Sequence, residues 1–211
     1  MMVDISVLIP AYNEEKYLSR CIRSLTNQHN PQLSFEILVQ DDCSTDSTSE
    51  VCKSFDTIIN YEKNSQNLGL PATLNRALSR SKGNFITRVD ADDYVNCNYL
   101  NFLKIAAETN PNYDAVACDY QTVDDEENIL CRKEFNSSPI GCATLFKKSV
   151  FQNIGNYDEF FRANEDKEFL ARFNRAGLKM LYLPIPLYRY RRHSNNMTND
   201  FNQMAFYDQF L

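Results

Sequence analysis

The sequence predicts an α/β fold: a Rossmann-like, mostly parallel central sheet with helices on both faces. Two observations carry the prediction. Short apolar runs alternate with helix-period stripes across residues 1–118, the pattern of repeated strand–helix units and hence of parallel strands. Polar clusters also follow the ends of the apolar runs, where sheets of this kind bind ligands.

The elements follow in order. Val3, Ile5, Val7 and Ile9 alternate until Pro10, which reads as a first strand. Leu18, Cys21, Ile22 and Leu25 fall at i, i+3, i+4 and i+7, the stripe of an amphipathic helix. Ile37 to Val39 reads as a second strand that ends at Asp41 and Asp42. Ser44 or Thr45 is placed to cap a helix running to about Phe55. Ile58 and Ile59 suggest a third strand. Leu70, Leu74, Ala77 and Leu78 mark a helix that Gly83 would close. Phe85 to Val89 reads as the fourth strand, Leu100, Leu103 and Ala107 as a helix, and Ala115 to Cys118 as a further strand.

The second half is less regular. Residues 119–140 read as a polar loop or hairpin region, Phe146 to Ile154 as a short helix and Glu165 to Arg175 as a longer one. Leu178 to Leu183 and Leu187 to Tyr190 read as separate short strands, broken by Pro184 and Pro186. From His193 on, the chain is polar with scattered aromatics, which predicts order only with a ligand or partner.

Composition narrows the function. The 211 residues fit one domain, with or without a small appendage, and 43% hydrophobic residues suffice for a sizeable core. A net charge of −6 argues against general nucleic-acid binding, despite the basic cluster Arg189, Arg191, Arg192 and His193. The seven cysteines form no C-x-x-C pair and are odd in number, which points to a reducing, cytoplasmic location rather than a disulfide framework. No run approaches the ~18 apolar residues of a membrane helix, so membrane contact would be peripheral, at the inner face. The sequons Asn136-Ser137-Ser138 and Asn196-Met197-Thr198 carry no meaning in that compartment.

Asp90, Asp92 and Asp93 crowd the end of the fourth strand. In an extended segment Asp90 and Asp92 point the same way. Oxygen-only ligands suit a hard cation, Mg²⁺ or Mn²⁺, usually completed by nucleotide phosphates. An acidic turn explains the same residues without any ligand.

Five motifs together resemble family 2 glycosyltransferases of the GT-A fold. They are ISVLIPAYNEEKYLSRCIRSL at 5–25, VQDDCSTDST at 39–48, NLGLPATLNRAL at 67–78, GNFITRVDADDY at 83–94 and NEDKEFLAR at 164–172. The resemblance spans roughly residues 3–193. It implies a GT-A domain over 1–193, with a nucleotide-binding half (1–118), an acceptor and catalytic half (119–193) and a tail (194–211).

The resemblance also implies a chemistry. A metal-dependent, inverting enzyme would move one sugar from a nucleotide-sugar, a UDP-sugar first among them, to a hydroxyl acceptor. That acceptor would be a glycan, a lipid-linked sugar or a polymer, and a homo-oligomer is compatible with the family. Donor-binding residues carried over are Pro10, Tyr12, Glu14, Asp42, Asn67, Asp90, Ala91, Asp92, Arg191 and His193. Tyr12 would stack on the base and Asp42 would accept from it. Asp92, Asp90 and His193 would hold Mn²⁺ or Mg²⁺, and the basic cluster would close over the diphosphate or meet anionic lipid head groups or a lipid-diphosphate acceptor, a solvated basic face being the plain alternative. Asp166 would be the catalytic base, with Glu165 turned toward the acceptor or a neighbouring cation and Arg88 paired to the acidic cluster. Gly141, Cys142 and Ala143 would pass close to the donor sugar.

Two departures stand out. Cys43 replaces the usual small residue, and Leu74-Asn75 replaces the usual Arg-Asn. The processive branch carries a Trp motif, and this chain has no Trp, which favours single-sugar transfer. A nucleotidyltransferase would want a Gly-rich phosphate loop, and the chain has only 5 Gly. A non-catalytic sugar-nucleotide sensor would have no need to keep both Asp92 and Asp166.

Overall fold

The computed structural model describes residues 3–194 and 196–211. Its strands are β1 (Ile5–Ala11), β2 (Phe35–Asp41), β3 (Asn60–Lys63), β4 (Phe85–Arg88), β5 (Tyr94–Val95), β6 (Ala115–Val123), β7 (Ile129–Lys133), β8 (Thr144–Lys147) and β9 (Met180–Arg191). Its helices are α1 (Leu18–Thr26), α2 (Thr48–Lys53), α3 (Leu70–Arg80), α4 (Tyr99–Thr109), α5 (Lys148–Ile154), α6 (Glu165–Arg175) and α7 (Phe201–Asp208). One sheet holds all the strands in the order β3-β2-β1-β4-β8-β6-β9-β5, with β7 paired to β6.

The first four strands of that order are mutually parallel. The strand ends that carry Asp41, Asp42 and Asp90 therefore lie along one edge. β8 then enters antiparallel to both β4 and β6, and β9 returns parallel to β6.

β1 is buried along its whole length because helices cover both faces. Ile5, Val7 and Ile9 pack with Leu18, Ile22 and Leu25 of α1 and Leu100 and Leu103 of α4. Leu8, on the opposite face, packs with Leu74 and Leu78 of α3 and Phe169 and Phe173 of α6. Alternation along the strand thus divides the core into two layers.

Several expectations shift. The third strand lies at Asn60–Lys63, after the apolar Ile58-Ile59 pair, because Ile59 serves burial while the polar stretch pairs with β2. α2 starts at Thr48, later than the Ser44 or Thr45 cap implied. Residues 144–147 are a strand, so the helix read from Phe146 begins only at Lys148. The two short strands around Pro184 and Pro186 are one strand, β9, whose register to β6 slips beside Asp119 and so accommodates both prolines. The tail is also ordered: a 3₁₀ turn at Met197–Asn199 leads into α7, and Tyr207 packs on Phe161 and Ala163.

Gly83 does not cap α3, which closes at Ser81. It lies instead where a Cβ would come within 2.5 Å of the Ser6 nitrogen and 2.7 Å of the Ile5 carbonyl carbon. Gly83→Ala should therefore push backbone from backbone and cost about 1–3 kcal/mol, as overpacking does. Denaturant unfolding should show a lower midpoint with an unchanged slope.

Candidate active site

Three strand ends and one helix start meet around a single cavity of about 630 Å³. The first wall follows β1. Asn13 sits in the left-handed region (φ 56°), and its carbonyl Oδ1 accepts from the Thr45 amide. The Asn13 amide donates to Ser44 Oγ, and the Glu14 amide to Thr48 Oγ1. The turn is thereby stitched to the one after β2. Tyr12, half-exposed, stands at the rim.

Asp41 holds its own turn by accepting from the Ser44 amide at 2.7 Å. Asp42, only 4% exposed, accepts from Asn64 Nδ2 and from the Leu68 and Gly69 amides, each at 2.8 Å. The carboxylate fixes the loop that presents Asn67 and Gly69 to the cavity. Cys43 lies at φ 68°, the conformation Gly adopts without a Cβ penalty, which accounts for a small residue being usual there.

The second wall is the acidic turn after β4. Asp90 is held in a two-pronged ion pair with Arg88 and receives the Cys142 thiol at 2.9 Å. Asp92 Oδ2 meets His193 Nε2 at 2.9 Å and Asn196 Nδ2 at 3.2 Å. Asp93 takes no part in the cavity wall. It is buried and accepts from Tyr188 Oη and the Arg191 amide, both at 2.7 Å.

The third wall is the start of α6. Asn164 is left-handed (φ 62°) and turns the chain into the helix. Glu165 is buried against Arg88 at 2.7 Å, so the neighbouring cation expected for it is Arg88. Asp166 faces the cavity at the N-terminal turn, and its Oδ1 accepts from the Lys167 amide. Gly141 presses on both partners: a Cβ there would lie 2.8 Å from Asp166 Cβ and 2.9 Å from Arg88 Nη1.

The fourth wall had no signal in the sequence beyond scattered aromatics. Asn196, Met197, Thr198, Gln203 and Met204 line the cavity. α7 is fastened beside the start of α6 by Asn164 Nδ2, which donates to the Met204 carbonyl and to Asp208. Arg162, next to the acidic helix start in sequence, also lines the cavity and was missed.

Of the residues singled out from sequence, Pro10, Tyr12, Glu14, Asp42, Asn67, Asp90, Ala91, Asp92 and Asp166 all line this one cavity. Arg191 does not. Its guanidinium is buried and donates to the Asp92, Asp124 and Asp125 carbonyls and to Glu127. Its role is to clasp the 124–127 turn, in place of the phosphate contact expected of it. His193 lies behind Asp92, its ring tilted against that of Tyr17 at 5.0 Å, rather than among the lining residues.

The carboxylates crowd one another. Burial, reinforced by Asp92, Asp90 and Asp46, raises Glu14 to about 8. Burial also lifts Glu165 to about 7, against the pull of Arg88, and pushes Asp93 well above the usual carboxylate range. Excess negative charge from oxygen ligands suits a hard divalent cation. Glu14, Asp90 and Asp92 are the cavity-lining side chains that fit one, whereas His193 turns its Nε2 to Asp92 Oδ2 from behind. Asp90, Asp93 and Cys142 also bring ligand atoms within 4.8 Å of each other. That trio is already closed by hydrogen bonds from Arg88, Tyr188 and the Arg191 amide.

The model of glycosyl transferase family 2 matches residues 6–182. The chain belongs to that family. Among family relatives, glycosyltransferase GlyA of Streptococcus pneumoniae is 31% identical over 80% of the chain, which spans 23% of GlyA. Poly(ribitol-phosphate) beta-N-acetylglucosaminyltransferase TarS of Staphylococcus aureus is 40% identical over 45% of the chain. The chain spans only 17% of TarS. In three dimensions the crystal structure of TarS 1-349 with UDP-GlcNAc aligns at a TM-score of 0.78 and 21% identity, covering 94% of this chain and 61% of that one. A mannosyltransferase from Pyrobaculum calidifontis, in complex with GDP-Man and Mn²⁺, aligns at 0.75 and 16% identity, over 97% of this chain and 61% of that one. These likenesses establish the GT-A fold.

Two outcomes follow from the geometry. Gly141→Ala should push the Asp166 side chain away from Arg88 and cost about 1–3 kcal/mol, as overpacking does, read as a lower midpoint in denaturant unfolding. The raised carboxyls set a pH dependence. Each binds more protons folded than unfolded, so their contribution to stability is fully present below the unfolded carboxylate range and is lost as pH rises through about 5 to 8. Glu165→Gln should flatten that decline in denaturant titrations of metal-free protein.

Proposed function

We propose that the chain is a metal-dependent, inverting glycosyltransferase domain that moves one sugar from a UDP-sugar to a hydroxyl acceptor. One observation carries the reading: Tyr12 and Asp42, the Asp90–Asp92 turn and Asp166 line the same cavity although they come from four separate stretches of chain. Tyr12 is accessible for stacking under a base, and Asp42 lines the cavity just beyond β2.

Asp92, Asp90 and Glu14 would hold Mn²⁺ or Mg²⁺, with His193 beside Asp92. A cation held there would supply Lewis-acid stabilisation of the charge that builds on the departing nucleoside diphosphate. Asp166 accepts the proton of the acceptor hydroxyl as its oxygen attacks the anomeric carbon from the face opposite the diphosphate. Arg88 and Gly141 keep that carboxylate in place, Arg88 through Glu165 and Gly141 by its missing side chain. The UDP-GlcNAc complex of TarS supports a uridine donor, and the poly(ribitol-phosphate) transferases among the relatives support a polymer acceptor rich in hydroxyls.

Asp166→Asn should keep UDP affinity within a few-fold and lower UDP release from UDP-GlcNAc with ribitol-phosphate polymer by about 10²–10⁴-fold, the usual worth of a general base. Normal turnover would remove Asp166 from the mechanism. Asp92→Ala should abolish the gain in UDP affinity that Mn²⁺ confers, read by calorimetry with and without the metal.

A further inference from the structure

Asn196 opens the Asn196-Met197-Thr198 sequon, but its side chain is buried (8% exposed) and turned inward. Nδ2 donates to Asp92 Oδ2 at 3.2 Å and to the Arg191 carbonyl at 3.1 Å, while Oδ1 accepts from the His193 amide at 2.6 Å. The amide orientation is forced, because a flipped group would set its oxygen against two acceptors. His193 Nε2 reaches the same Asp92 oxygen at 2.9 Å. Among the described residues nothing donates to Asp92 Oδ1. The carboxylate is thus gripped on one oxygen and presents the other.

We propose that Asn196 is a positioning residue for the divalent cation of the donor site. It saturates Asp92 Oδ2, fixes the carboxylate plane and leaves Oδ1 as the ligand oxygen. By closing the 193–196 turn it also makes the cation site depend on the C-terminal segment. Groups that orient a metal ligand typically govern affinity by about 10–100-fold. The proposal rests on the metal-dependent donor reading above.

The test is Mn²⁺ binding to the full chain at saturating UDP, read by the electron paramagnetic resonance signal of free Mn²⁺. Asn196→Ala and the milder Asn196→Ser, which retains an acceptor for the His193 amide, should both weaken Mn²⁺ by about 10–100-fold. Their UDP affinity without metal should stay that of the unaltered chain. Asp200→Ala is the control: Asp200 caps α7 by accepting from the Gln203 amide, lies outside the cavity wall and does not touch Asp92. It disturbs the same segment and should leave Mn²⁺ affinity intact. Unchanged Mn²⁺ affinity in both Asn196 variants would overturn the assignment, as would an equal loss in Asp200→Ala. Failure of Mn²⁺ to improve UDP binding to the unaltered chain would instead overturn the metal reading, and this role with it.

Discussion

Arg88 is the cation on which the site depends. It is 8% exposed at the end of β4 and stands between Asp90 and Glu165. A buried guanidinium with carboxylates on both sides is satisfied only while both stay in place, and breaking such a pair leaves a stranded charge costing about 3–5 kcal/mol. The sheet end that carries the acidic turn is therefore locked to the helix that carries Asp166. The carboxylates on the two sides of the cavity share one rigid reference. Gly141 completes the lock by leaving no room for a side chain between Arg88 and Asp166.

Around that lock the turns are tied to one another rather than to water. Asp42 gathers the 64–69 loop, Asn13 gathers the turn after β2, and Arg191 gathers the 124–127 turn under the acidic residues. None of these groups is repetitive secondary structure, and each bonds backbone groups of turns that lie outside the helices and strands. The C-terminal segment joins in by contacting Asp92 through Asn196 and the start of α6 through Asn164. The two halves of the chain and the tail behave as one frame around the cavity.

The first half of this frame was legible in the sequence because its physics is local. Alternation in β1, helical stripes in α1, α3 and α4, and carboxylates at strand ends all lie within short windows. Long-range pairings were not legible. Arg88 and Glu165 are distant in sequence, and nothing in either segment specifies the other. β8 was hidden because Phe146, Val150 and Ile154 keep a helical spacing through a strand–helix junction, and only pairing to β4 and β6 extends residues 144–147. β9 was hidden by Pro184 and Pro186, whose missing donors matter little where the register slips past Asp119. The tail lacked an amphipathic stripe, and its order comes from Tyr207 and the Asn164 bonds. Arg191 misled because a basic cluster suggests a phosphate, whereas burial among three carbonyls gave it a clasp to form.

The grip of Asp42 on the Leu68 and Gly69 amides has a thermodynamic consequence. A loop already frozen by a buried carboxylate loses little conformational freedom when a ligand arrives. Ordering a loop on binding commonly subtracts from affinity. Here that subtraction was made during folding, so affinity at this end of the cavity reflects contact quality more directly. Recognition there resembles a key meeting a cut lock, and changes to the loop's sequence act on folding before they act on nucleotide choice.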